Sequence, residues 1–157
     1  MKKTSIITVI LMTWCITHAY AQTGINYLGG RWGIASKNSY QGGLNLEFSG
    51  TNGNNLEIFA DYLRKKKKYY DVMAGFAYKP LLFRNNNTSM RMRFGGAFGT
   101  DRYVFLAAPQ TGIELLQALP GGVELVLGNK DEYLFFTKHK ELRWRVALEV
   151  GIKIPIN

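Results

Sequence analysis

The chain has 157 residues, a formal net charge of +9, 46% hydrophobic and 13% aromatic residues, and one cysteine. That length suits a single domain, and no internal linker divides it. One cysteine excludes an internal disulfide framework, so the fold must be held by its core or by a membrane.

At the N-terminus, Lys2 and Lys3 precede an apolar stretch over residues 5–16 and then the small-residue site Ala19-Tyr20-Ala21. This is the pattern of a secretory signal peptide spanning residues 1–21, with cleavage between Ala21 and Gln22. The apolar stretch is too short to anchor the chain as a membrane helix. Trp14 ahead of Cys15 is too bulky for a lipoprotein cleavage site, so Cys15 leaves with the signal and takes cysteine-based zinc and thiol chemistry with it. Two of the 20 basic residues and none of the 11 acidic ones leave as well, so the expected mature domain, residues 22–157, carries +7.

From there the pattern is alternation. Strands are expected over residues 26–36, 44–49, 56–62, 69–82, 90–100, 111–119, 123–135 and 142–156. Thr51-Asn52-Gly53-Asn54-Asn55 joins the second and third, and its Asn-Gly pair is a strong hairpin signal because both residues tolerate positive φ. Asn85-Asn86-Asn87 and Pro120-Gly121-Gly122 mark further turns. No segment has a helical period.

The last strand is the clearest. Leu142, Trp144, Val146, Leu148, Val150, Ile152, Ile154 and Ile156 alternate with Arg143, Arg145, Ala147, Glu149, Gly151 and Lys153, giving one apolar and one largely charged face. At ~3.3 Å per residue it spans roughly 50 Å, beyond the ~9–11 residues of a tilted strand that crosses a bilayer.

Eight antiparallel strands in this length match a small closed up-and-down barrel. Alternation alone leaves two forms open: a soluble sandwich or lipocalin-like barrel with its apolar face inward, or a transmembrane barrel with that face outward. Three features favour the second. Charges recur on the minority face (Glu47, Asp61, Arg91, Arg93, Glu114, Arg143, Arg145, Glu149), as in a paired polar lumen. Aromatic residues gather near strand ends (Tyr27, Trp32, Tyr62, Tyr69, Tyr70, Tyr78, Tyr103, Tyr133, Trp144), as in interfacial girdles. Glycines such as Gly29, Gly30, Gly95, Gly96 and Gly99 interrupt strands where a narrow barrel curves. The expected fold is therefore all-β, an eight-stranded antiparallel transmembrane β-barrel of the outer membrane. Trp144, Val146, Leu148, Val150 and Ile152 then face lipid. With a periplasmic N-terminus, segments 37–41, 65–68, 100–110 and 137–141 face outward. Side chains fill so narrow a lumen, which disfavours a porin.

The basic run Arg64-Lys65-Lys66-Lys67-Lys68 precedes Tyr69 and Tyr70. Such a run can grip nucleic acid, but at a loop tip it is better suited to solvent or lipid phosphates, so direct nucleic acid binding is disfavoured. His139 is the one histidine left after cleavage. A distant Ser36, Ser39 or Ser89 is needed to complete a triad with it, and a lone loop histidine between lysines reads as solvent-exposed. The sequence offers no metal-ligand cluster or phosphate-cradling loop, and no cofactor is expected.

Three segments resemble the TraO family of conjugative transposons: Asp61-Tyr62-Leu63-Arg64-Lys65 followed by Tyr70-Asp71, Ala77-Tyr78-Lys79-Pro80-Leu81-Leu82, and Val150-Gly151-Ile152-Lys153-Ile154-Pro155-Ile156-Asn157. The resemblance covers residues 56–157. It departs in a shorter 100–110 region and in Pro155, which replaces a bulky apolar residue. It implies a non-enzymatic envelope component of a DNA-transfer apparatus, working with other conjugation or envelope proteins and with outer-membrane lipid. A general structural or adhesive barrel is the alternative, and a lipid-modifying barrel enzyme the third. The ending Gly151-x-x-Ile154-x-Ile156 resembles the C-terminal signal read by the barrel-assembly machinery.

Overall fold

The computed structural model describes residues 26–65 and 69–156. The expected signal segment with its cleavage pair Ala21 and Gln22, and Lys66, Lys67 and Lys68, lie outside the described residues. In chain order the strands are β1 (Asn26–Ala35), β2 (Ser39–Ser49), β3 (Asn55–Lys65), β4 (Tyr69–Lys79), β5 (Leu81–Asn85), β6 (Thr88–Thr100), β7 (Phe105–Ala118), β8 (Glu124–Tyr133) and β9 (Trp144–Ile156). All pairings are antiparallel between chain neighbours, with β1 also paired to β9 and β4 to β6, which closes the ring. β5 adds no stave of its own. It prolongs β4 past Pro80 along the same partner, β6, and the Met92 N–H donates to the Pro80 carbonyl at 3.1 Å. The molecule is thus the expected closed eight-stranded antiparallel barrel.

The two-residue period sorts side chains onto opposite walls. In β3, Glu57, Phe59, Asp61 and Leu63 are buried, while Leu56, Ile58 and Tyr62 are exposed. In β9, Arg145, Ala147, Glu149 and Lys153 are buried, while Trp144, Val146, Leu148, Val150 and Ile152 are exposed. A soluble barrel needs the reverse, since apolar burial away from water drives its folding. Among the two open forms, the inside-out one is present.

Four expectations change at the loop end. The segment 100–110 is not a long loop, because β7 begins at Phe105. The turn is closed by Asp101, whose carboxylate accepts from the N–H groups of Tyr103 and Val104 at 3.1 and 3.0 Å. Its first inward residues, Leu106 and Ala108, are as apolar as the outward Phe105 and Ala107, so the period of two has no contrast there. β2 begins at Ser39, which leaves only Ser36, Lys37 and Asn38 in the first turn; Lys37 (φ 63°) and Asn38 (φ 55°) form a tight left-handed corner. β8 ends at Tyr133, with only a bridge from Phe135 to Ala107 beyond it. Finally, Lys140–Leu142 form a 3-10 turn and Arg143 is right-handed helical, which breaks the alternation before β9 begins. Leu142 therefore packs inward with Ala35, Leu63, Tyr69 and Ala147, and Arg143 is exposed instead of lying in the lumen.

At the other end the Asn-Gly signal is realised as a 3-10 turn, Thr51–Gly53, with Asn52 at φ 60° and Gly53 at φ 77°. The Gly53 carbonyl accepts from the buried Arg91 guanidinium. A Cβ on Gly53 would face the left-handed penalty and stand 2.8 Å from Leu81 Cδ2. Gly53→Ala is expected to destabilise the barrel by about 1–2 kcal/mol, read as a lower urea midpoint of the folded form.

Candidate functional site

The lumen is the most organised chemistry in the molecule. Buried cations Arg31, Lys79, Arg91, Arg93, Lys130, Arg145 and Lys153 share it with buried carboxylates Glu47, Glu57, Asp61, Asp71, Glu114, Glu132 and Glu149. Buried Asp101, in the turn after β6, is an eighth carboxylate, so the interior is within one charge of neutral among the described residues.

Three groups stack along the axis. Nearest the 51–53 turn, Lys79 Nζ lies 2.9 Å from Glu47 and 2.7 Å from Glu114 and also contacts Glu57. Lys153 reaches Glu47 at 2.6 Å. In the middle, Arg31 and Arg93 converge on Glu57 at 2.9 and 2.7 Å, and the Arg93 guanidinium covers the Phe59 ring at 4.6 Å. Lys130 bonds Asp61 at 2.8 Å, and Gln41 donates to Glu149. Towards the loop end, Arg145 holds Asp71 at 2.5 Å, the Tyr69 hydroxyl at 2.9 Å and Glu132 at 3.3 Å. All of these charges but Arg91 have opposite charge beside them, the condition under which buried ions are tolerated, while Arg91 donates to the Gly53 carbonyl.

Glu47, Glu57 and Glu114 bring their carboxylates within 4.8 Å of one another, the spacing of a cation site that the sequence reading did not anticipate. Lys79 already occupies that position with its ammonium, so the cluster is an ion-paired strut rather than a metal centre.

Of the residues expected in the lumen, Glu47, Asp61, Arg91, Arg93, Glu114, Arg145 and Glu149 are buried there, and Arg143 is exposed. Arg31, Glu57, Asp71, Lys79, Lys130, Glu132 and Lys153 are additional members. Their signal was present in register, since Glu57 sits between outward Leu56 and Ile58, and Lys153 between Ile152 and Ile154.

Outside, one aromatic pair stands on each hairpin of the loop end: Trp32–Tyr40, Tyr62–Tyr70, Phe98–Phe105 and Tyr133–Trp144, with ring centroids 6.0–6.3 Å apart. Tyr69 instead points inward, edge-on to His139 at 4.8 Å. Above the pairs the rim is basic. Lys37, Arg64, Arg102, Lys138, Lys140 and Arg143 are exposed, and Lys65 is 3.9 Å from Glu141. Arg64 and Lys65 are the last residues of β3 and not part of a loop tip. A backbone hydrogen bond, aided by Lys65 and His139, holds the Glu141 carboxyl below its ordinary value.

His139 Nδ1 lies 3.5 Å from Glu141. The three serines considered for a triad are placed differently: Ser36 Oγ accepts from the Val146 N–H at 3.4 Å, Ser39 is buried in the β2 wall, and Ser89 sits at the opposite end of β6.

A scan against known protein families matches none, and no curated protein matches the sequence. Solved structures do match. The outer membrane enzyme PagL superposes with a TM-score of 0.59 at 12% identity, covering 83% of this chain and 99% of that one. Neisserial surface protein A (NspA) gives 0.60 at 11% identity, over 84% and 96%. A de novo designed transmembrane β-barrel gives 0.57 at 11% identity, over 83% and 96%. Identities this low bear on the fold alone, and that fold carries an enzyme, a surface protein and a design with equal ease.

Proposed function

We propose that the protein is a sealed outer-membrane β-barrel with a structural or surface-presenting role, acting through its loop end and outer wall. The observation that carries this reading is the inversion of its two faces: a neutralised, ion-paired lumen inside a wall of exposed Leu, Ile, Val and aromatic residues. In water that wall is an unmanageable apolar patch; in a bilayer it is the ordinary lipid face. The strand termini Asn26 and Ile156 are periplasmic in this reading, and the basic rim faces the cell exterior.

Transport and catalysis fit less well. Lumen groups are bonded to one another, and side chains fill an eight-stranded barrel, so the protein is expected to show no steady single-channel conductance in planar bilayers; a reproducible open level of porin size would overturn the sealed lumen. His139 lies beside Glu141 and Tyr69, and the candidate serines make other contacts or lie elsewhere, which favours a non-enzymatic protein. The resemblance of Asp61–Lys65, Ala77–Leu82 and the C-terminal segment to TraO supports a narrower reading, an accessory component of a conjugative transfer apparatus with other envelope proteins as partners.

Membrane fractionation combined with heat-modifiable gel migration tests the barrel, and recovery as a soluble periplasmic protein would sink it. A mating assay in a deletion strain tests the narrower role, for which an unchanged transfer frequency is the adverse result.

A further inference from the structure

Among the described residues the middle of the outer wall is apolar except along one seam, and other outward polar groups such as Thr88 and Gln117 lie at the opposite end of the barrel. On β8 the outward positions below Tyr133 are Asp131 and Asn129, and Thr111 of β7 stands opposite Asp131. Asn129 donates to Asp131 Oδ2 at 3.3 Å, while Asp131 Oδ1 is shielded from solvent and has no hydrogen-bond partner. A half-buried carboxylate on a lipid-facing wall, with a single long hydrogen bond to Oδ2, calls for a further donor, and Oδ2 is the oxygen left to meet one from outside the protein.

Two surface hollows meet at this place. The lower, about 230 Å³, is lined by Pro109, Thr111, Asp131, Tyr133 and Trp144 among others. The upper, about 410 Å³, shares Tyr133 and Trp144 and adds Lys37, Lys140, Arg143 and Glu141. Glu141 is engaged by Lys65 and His139, which leaves Lys37, Lys140 and Arg143 exposed and, among the described residues, without an ion pair, over an aromatic step and the Asp131 carboxylate. Lys37 is held at φ 63°, a conformation unfavourable for lysine, at the corner that presents it to the hollow. Asp131 lies two residues from Tyr133, roughly 7 Å along the strand, so the three chemistries are stacked at the depth of a lipid headgroup.

We propose that this rim between β8 and β9 is a binding site for a phosphate-bearing glycolipid of the outer leaflet, an inference that rests on the outer-membrane reading above. Lys37, Lys140 and Arg143 take the phosphate through charge-assisted hydrogen bonds. Tyr133 and Trp144 cover the sugar ring, and Asp131 accepts from its hydroxyl or amide groups, while Asn129, whose Oδ1 takes the Ile113 N–H, holds the carboxylate in place. The acyl chains continue down the wall formed by Val146 and Leu148. A plain anionic phospholipid satisfies the cations but leaves Asp131 unused.

The test uses the mature chain folded in phosphatidylcholine nanodiscs and titrated with diphosphorylated lipid A, its dephosphorylated form, or phosphatidylglycerol, with bound lipid counted by native mass spectrometry. Lipid A is expected to bind about tenfold more tightly than either comparison lipid. The triple variant Lys37→Ala, Lys140→Ala, Arg143→Ala is expected to lose the preference for phosphate, and Asp131→Ala to weaken both glycolipids alike while preserving their ratio. Millimolar inorganic phosphate leaves binding unchanged if the ligand is the lipid. Equal binding of the phosphorylated and dephosphorylated forms, undiminished binding by the triple variant, or equal binding of phosphatidylglycerol overturns the site. Heat-modifiable migration reports folding separately for every variant. A chain that never inserts refutes the outer-membrane reading itself, whereas one that inserts without discriminating refutes only the glycolipid site.

Discussion

Lys79→Met is expected to lower the stability of the folded barrel by about 3–5 kcal/mol, the range for breaking one side of a buried ion pair. Lys79 is fully buried and its ammonium touches Glu47, Glu57 and Glu114 at once. Methionine keeps most of the length and volume of the side chain, so packing changes little and the loss is electrostatic. Lys153 remains beside Glu47 and Glu114, and Arg31 with Arg93 beside Glu57, but three carboxylates then share less positive charge than before. A second change, Glu57→Gln, removes one of them and is expected to restore most of the loss. Urea titration of the folded band in detergent micelles reads both effects. An unchanged midpoint for the single variant, or a further drop for the pair, would contradict the network.

The second large effect concerns the outer wall. Val150 lies mid-strand in β9 between Trp32 of β1 and Leu127 of β8, all three exposed. Arginine at such a midplane site costs about 2–4 kcal/mol in a transmembrane barrel. Val150→Arg is therefore expected to lower the unfolding midpoint in phospholipid vesicles by that amount, with a smaller loss for the same change at Tyr40 near the rim. The sign discriminates between environments, because on a barrel surrounded by water an exposed arginine would be neutral or improve solubility. A depth-independent response would argue against a bilayer around this wall.

The fold was legible because one physical signal dominates it. Alternation persists in β3 and β9, where outward apolar and inward charged residues differ most, and an Asn-Gly pair marks the turn between β2 and β3. It faded where the two faces resemble each other. Phe105-Leu106-Ala107-Ala108 is apolar on both sides, and Ser39-Tyr40-Gln41-Gly42-Gly43 lacks an apolar face long enough to register. On β8, polar residues occupy both walls, so Lys130 and Glu132 inside could not be told from Asn129 and Asp131 outside. Arg143 misled in the opposite way, because a helical residue ahead of β9 shifted its face while leaving the sequence pattern intact. The pairing of the charges was not legible at all. Arg145 meets Asp71 and Lys130 meets Asp61 across the lumen, from strands far apart in the chain, and only closure of the ring creates those contacts.

The distribution of the charged struts also bears on how the barrel assembles. No single hairpin is self-sufficient: Arg145, Glu149 and Lys153 of β9 serve Asp71 on β4, Gln41 and Glu47 on β2, and Glu114 on β7. A sheet that had entered the membrane without β9 would leave those groups facing hydrocarbon or water with their partners missing. Partly inserted states are thereby raised in energy relative to both the unfolded chain and the closed ring. Insertion should then behave as a cooperative event with few stable halfway stages, completed when the C-terminal strand zips between β1 and β8, so that truncated chains are rejected before they accumulate in the bilayer.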